Sequence, residues 1–143
     1  MRYDLKNRMA RVTDIIAALA KDIYRTLGSG HSEAAYQKAM EVGLRLQHVG
    51  FEAQKVIELT YQNHYIGEEN IDLLVESNSQ EVIVELKAMN QNLGPPEEQQ
   101  LRNYMRGLSV ELGVLINFPQ PGRTKGKQKA EPEIEPEIKM VTL

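Results

Sequence analysis

Two apolar runs, IDLLVES (71–77) and QEVIVELK (80–87), are separated by only Asn78 and Ser79. The runs are rich in strand formers and the two intervening residues are turn formers, so the stretch predicts a β-hairpin with a two-residue loop. A loop that short sets the register. Ser77 opposes Gln80, Glu76 opposes Glu81, and the count runs down to Asp72 opposite Glu85. Opposed residues project from one face. Leu73, Val75, Val82, Val84 and Leu86 then form a wholly apolar face, which is core. The other face carries Asp72, Leu74, Ile83, Glu85 and, one pleat on, Lys87.

Two opposed carboxylates repel each other and cost stability unless something compensates. A divalent cation does so, and hard oxygen ligands suit Mg²⁺ or Mn²⁺. Lys87 beside the pair would face an anion held there. Two acids, a cation and an ammonium group are the parts of metal-assisted phosphodiester hydrolysis. A plainer reading stands beside this one: a solvated sheet face with a cross-strand ion pair. The E-x-K triplet is common by chance, and EIK recurs at Glu137–Lys139 without an acidic partner upstream. A slip of one residue would also move Asp72 to the opposite face.

The rest of the chain supplies layers for such a sheet. Residues 13–27 place Ile15, Ile16, Leu19, Ile23 and Leu27 at helical spacing, with Thr13 as N-cap and GSG (28–30) as the break. A second helix is expected from Ser32 to Gln47, with Tyr36, Met40 and Leu44 on one face and Gly50 closing it. FEAQKVIELTYQ (51–62) reads as a strand with imperfect alternation. GPPEEQQLRNYMRGL (94–108) is a helix with proline in its first turn, glutamates at its positive end, and Leu101, Tyr104, Met105 and Leu108 inward. ELGVLINF (111–118) is a buried strand. Residues 119–136, polar and rich in proline and glycine, read as a flexible loop insertion, and 137–143 as a last edge strand. The order α-α-β-β-β-α-β-(β) predicts an α/β fold with a central mixed sheet flanked by helices.

Composition narrows the function classes. With 143 residues, 41% apolar and 26% charged, the chain suits a single globular domain, residues 1–30 being a helical lead-in. It has no cysteine, which excludes disulfides and thiolate metal sites. No apolar run is long enough to span a bilayer, the N-terminus is too charged for a signal peptide, and a cytoplasmic location fits. The net charge of −3 gives no general attraction to nucleic acid, so binding of that kind needs a local basic patch.

Gly30, Glu33 and Tyr36 in GHSEAAY spell G-x-x-E-x-x-Y, ahead of IDLLVE, VIVELKA and QLRNY. From about Thr13 to the final strand this succession resembles the GxxExxY family, a branch of the PD-(D/E)xK nuclease-like superfamily. The resemblance implies a restriction-endonuclease-like αβββαβ core and Mg²⁺-dependent (or Mn²⁺-dependent) hydrolysis of nucleic acid, DNA ahead of RNA. It implies that Asp72, Glu85 and the backbone carbonyl of Leu86 are metal ligands, joined by Glu33, and that Lys87 is catalytic. Gln100 and Tyr104 resemble a Q-x-x-x-Y pair that lies near the metal and the substrate phosphates.

Each of these residues has a plainer role open to it. Glu33 in a first helical turn is favoured by the dipole alone, and Tyr104 and Tyr36 suit the core. Arg102 and Arg106 are placed beside the site as phosphate contacts. Arg123, Lys125, Lys127 and Lys129 offer a basic loop that neighbouring glutamates nearly cancel. The chain departs from the family pattern in having Gly28-Ser29-Gly30 where Gly-Pro-Gly is expected, and in lacking a histidine near Tyr24. The rival function is a non-catalytic nucleic-acid- or protein-binding module on the same fold. The oligomeric state is open, a homodimer included.

Overall fold

In the computed structural model, residues 2–122 and 135–143 are described, 2–11 as backbone only. The basic residues Arg123 to Lys129 of the expected loop lie outside that range. Helices α1 (Arg2–Leu27) and α2 (Glu33–Leu46) precede strands β1 (Gly50–Tyr61), β2 (His64–Ser77) and β3 (Gln80–Lys87). Helix α3 (Pro95–Leu108) leads to β4 (Leu112–Asn117), and β5 (Glu137–Thr142) completes the sheet. The five strands lie in the order β1-β2-β3-β4-β5. All neighbours are antiparallel except β3 and β4, which are parallel and joined through α3.

The hairpin register follows from its turn. Asn78 and Ser79 have φ of 52° and 66°, the left-handed pair that a two-residue loop needs to match strand twist. Pairing runs from Ser77 with Gln80 to Leu73 with Val84, as the count from the turn requires.

Both sheet faces are covered around the β2–β3 hairpin, and that is a correction to the solvated-face reading. Leu73, Val75, Val82, Val84 and Leu86 pack with Ile16, Tyr36, Met40 and Leu44 of α1 and α2. On the far side, Leu74 and Ile83 are buried with Leu101, Tyr104 and Met105 of α3. Asp72, Glu85 and Lys87 therefore sit between layers, where a charge costs more than it does in water.

The helix boundaries depart from expectation in two places. Thr13 is not an N-cap; α1 begins eleven residues earlier, at Arg2. The segment before Thr13 is charged, which made its helical character hard to read in sequence. Gly50 does not close α2 either. That helix ends at Leu46, His48 supplies the left-handed residue (φ 59°), and Gly50 opens β1. At its start α2 is capped as expected, Ser32 Oγ accepting from the Ala35 amide at 3.2 Å.

Gly30, in the left-handed region at φ 99°, donates its amide to Gln120 Oε1 at 2.7 Å. Gln120 reaches the Tyr36 hydroxyl at 3.1 Å, and the Tyr36 ring stacks on Phe118 with centroids 4.3 Å apart. Two of the three G-x-x-E-x-x-Y residues thus fix the turn between α1 and α2 and pack the core. The third, Glu33, is exposed at the start of α2.

Candidate active site

The β2–β3 ladder stops at Leu73 and Val84, one pair short of Asp72 and Glu85. Their side chains take over from the backbone. Glu85 Oε1 accepts the Asp72 amide at 2.9 Å, and Asp72 Oδ2 accepts the Leu86 amide at 2.8 Å. Each acid thus crosses to the other strand, and both carboxylates end in one seam. Among the described residues, no arginine pairs with either. The amide and carbonyl of one residue in an extended strand point to the same side. The Leu86 amide faces Asp72, so the Leu86 carbonyl is turned toward β2 as well.

Electrostatics at the seam are unfavourable to two free charges. Glu85 is 5% exposed. Burial first, and the neighbouring Asp72 charge second, push its carboxyl up to about 8, with Glu33 adding to the rise. The Asp72 amide and Lys87 oppose that shift without cancelling it. A cation in the seam would remove the cause of the strain.

The donor set fits a hard divalent ion: two carboxylates and a backbone carbonyl on one side, with room in the coordination shell for water or phosphate. Glu33 is close enough to act on Glu85 through space, yet it does not complete a cluster. Among the described residues, no three His, Cys, Asp or Glu side chains form a metal-holding group. The expected fourth ligand is therefore not brought into place.

Lys87 follows Glu85 on β3 and is held from α3: its Nζ donates to Gln100 Oε1 at 3.0 Å. Tyr104, one helical turn on, is 6% exposed. Its phenol is pushed up to about 12 by burial and then by Glu85, Glu69 and Asp72, so it remains a hydroxyl donor beside the acids. Gln100 and Tyr104 share the helix face that meets the site. Arg102 and Arg106, two and six residues past Gln100, turn to the other side at about 100° per residue. There Arg102 meets Glu98 at 3.6 Å and Arg106 donates to Asn103 at 3.2 Å. The structure does not bring these arginines to the acids.

The second E-x-K has a structural role. Glu137 Oε1 accepts the Leu93 amide at 2.8 Å, and Lys139 meets Glu98 at 3.1 Å. Together they fasten the start of α3 to β5.

Sequence reasoning overlooked three residues that stand behind Asp72. Gln37 and Glu41, 8% and 4% exposed, lie one and two turns after Glu33 on α2. Gln37 Nε2 donates to the Asp72 carbonyl at 3.2 Å and to Glu41 Oε2 at 3.1 Å. Gln54 Nε2 reaches Gln37 Oε1 at 2.8 Å and Asp72 Oδ1 at 3.4 Å. The signal was present as an i, i+4, i+8 polar stripe, Glu33-Gln37-Glu41, beside the apolar stripe Tyr36-Met40-Leu44.

No curated protein matches the chain. Among solved structures it is similar to SSO0001, at 16% identity, covering 78% of this chain and 66% of that one with a TM-score of 0.44. It is also similar to Hjc of Archaeoglobus fulgidus, a Holliday junction resolvase from an archaeal hyperthermophile, at 18% identity. That match covers 64% of this chain and 70% of Hjc with a TM-score of 0.37. The profile of a family described as the PD-(D/E)XK nuclease superfamily matches residues 10–130. That span takes in α2, all of β1 to β4 and every residue gathered at the seam, and on it the chain belongs to the PD-(D/E)XK nuclease superfamily.

Proposed function

We propose that this protein is a Mg²⁺-dependent nuclease hydrolysing phosphodiester bonds of DNA, with Mn²⁺ able to replace Mg²⁺. The observation that carries the reading is the meeting of Asp72 and Glu85 in one seam, with Lys87 beside them. A buried acid held beside a second, half-buried one weakens a fold unless a cation is to be held, so a scaffold with no use for one has no reason to keep them. The G-x-x-E-x-x-Y residues favour the GxxExxY branch of the superfamily.

Asp72, Glu85 and the Leu86 carbonyl are the residues that would hold the ion. When bound, a divalent cation there supplies Lewis acidity toward a phosphoryl oxygen and lowers the pKa of a water. Lys87, steadied by Gln100, orients that water or offsets charge gathering on the phosphate. The Tyr104 hydroxyl donates to a phosphate oxygen, and Glu33 at the rim orients water rather than binding the ion directly. Arg102 and Arg106 are left out of this assignment.

Calorimetric titration of the full chain with Mn²⁺ tests the reading. The wild type should bind the ion and Asp72→Ala should not. A silent wild type sinks the metal site. Binding of DNA without cleavage in Mg²⁺ would favour the non-catalytic module.

A further inference from the structure

Gln54 stands in the middle of the twelve-residue β1, yet its φ is 53°, in the left-handed region. A residue with a Cβ adopts that conformation at a cost, and inside a strand it is rare. The consequences fall on Asp72. Pairing of β1 with β2 runs from Ala53 with Leu73 directly to Lys55 with Ile71, and Gln54 and Asp72 drop out between them. Leu73 packs into the layer under α1 and α2, whereas Ile71, two residues earlier, packs into the layer under α3. The alternation of β2 thus changes phase at Asp72. The ladder on its other side has also ended, one residue away. Asp72 is consequently free of regular pairing on both flanks, and side chains do the holding.

Those side chains form one connected chain of contacts. Glu41 is buried and is approached by Arg45 at 3.4 Å and Lys38 at 3.8 Å. It anchors Gln37 at 3.1 Å. Gln37 in turn holds the Asp72 carbonyl at 3.2 Å and orients the Gln54 amide at 2.8 Å. That amide is then 3.4 Å from Asp72 Oδ1, while the Leu86 amide is 2.8 Å from Oδ2. Each oxygen of the carboxylate has one donor, one from each neighbouring strand.

We infer that Gln54 and Gln37 are positioning residues, and that the left-handed kink at Gln54 exists to aim the Asp72 carboxylate into the seam. The inference rests on the metal-binding reading of that seam. Neither glutamine touches substrate or ion; each acts through Asp72. A strained residue kept in place by its side-chain contacts is the pattern expected where function rather than stability selects the conformation.

Gln54→Gly separates the two. Glycine accepts φ 53° without strain, so an architectural kink is preserved or improved, while the aiming amide is lost. Titration with Mn²⁺ and thermal melting of the wild type, Gln54→Gly, Gln37→Leu and Asp72→Ala give the readout. The expected result is a Gln54→Gly protein that melts at or above the wild-type temperature and binds Mn²⁺ at least about tenfold more weakly. Gln37→Leu should weaken binding in the same direction. Wild-type affinity in Gln54→Gly, or a loss that merely follows a fall in melting temperature, overturns the inference and leaves the metal reading intact. A wild type that takes up no Mn²⁺ overturns both, and is recognised by its agreement with Asp72→Ala.

Discussion

Burial and charge act on Glu85 in the same direction. Its carboxyl rises from an ordinary 4.5 to about 8 because it is buried beside Asp72. As pH rises from 4.5, the unfolded chain gives up this proton first while the folded protein still holds it. The folded state binds more protons over that window, so stability falls as pH climbs from about 5 to about 8 and then levels off. The metal-free protein should accordingly lose melting temperature across that range, and Glu85→Gln should flatten the loss. An unchanged slope in Glu85→Gln would assign the pH dependence elsewhere. On the proposed reading the same acid would become a ligand when a cation replaces its proton, so ion binding should tighten as pH approaches 8.

Individual elements place these residues by close packing. A Cβ on Gly113 of β4 would lie 2.8 Å from both Leu101 Cδ2 and Met105 Sδ of α3. Gly113→Ala should push the Leu101 and Met105 side chains of α3 aside and cost about 1–3 kcal/mol, read from chemical denaturation. Because Gln100 rides on that helix, the substitution should also loosen its hold on Lys87.

The hairpin was legible in sequence because a two-residue turn leaves one register, but that ladder ends at Leu73 and Val84, and it is side-chain bonds to the Asp72 and Leu86 amides that bring Asp72 and Glu85 into one seam. Gln100 was named only through the resemblance of Gln100 and Tyr104 to a Q-x-x-x-Y pair, and in the structure it holds Lys87 Nζ. The kink at Gln54 was not legible. It showed only as imperfect alternation in FEAQKVIELTYQ, which an exposed strand also displays, and the side-chain partner that Gln54 meets, Gln37, lies on α2. Arg102 and Arg106 were misplaced for a related reason: charge suggested phosphate contacts, but helical phase turns them toward Glu98 and Asn103.

At the scale of the molecule, helices cover both faces of the sheet around β2, β3 and β4, while the distal halves of β1 and β2 stay exposed, and the seam between β2 and β3 is the place where acids, lysine and amides converge. No helix among the described residues is long and apolar enough to cross a membrane. With a net charge of −3, the chain has no broad field to draw DNA in, so on the proposed reading recognition would fall to short-range contacts at the seam and to a cation shared with the phosphate. The direct measurement is cleavage of labelled linear, nicked, branched and single-stranded DNA in Mg²⁺ by the wild type and by Lys87→Ala. The account predicts cleavage of at least one substrate by the wild type, abolished by a chelator and lowered at least about 100-fold in Lys87→Ala. Cleavage that survives in Lys87→Ala or in the chelator, or none on any substrate by a wild type that binds Mn²⁺, would contradict it.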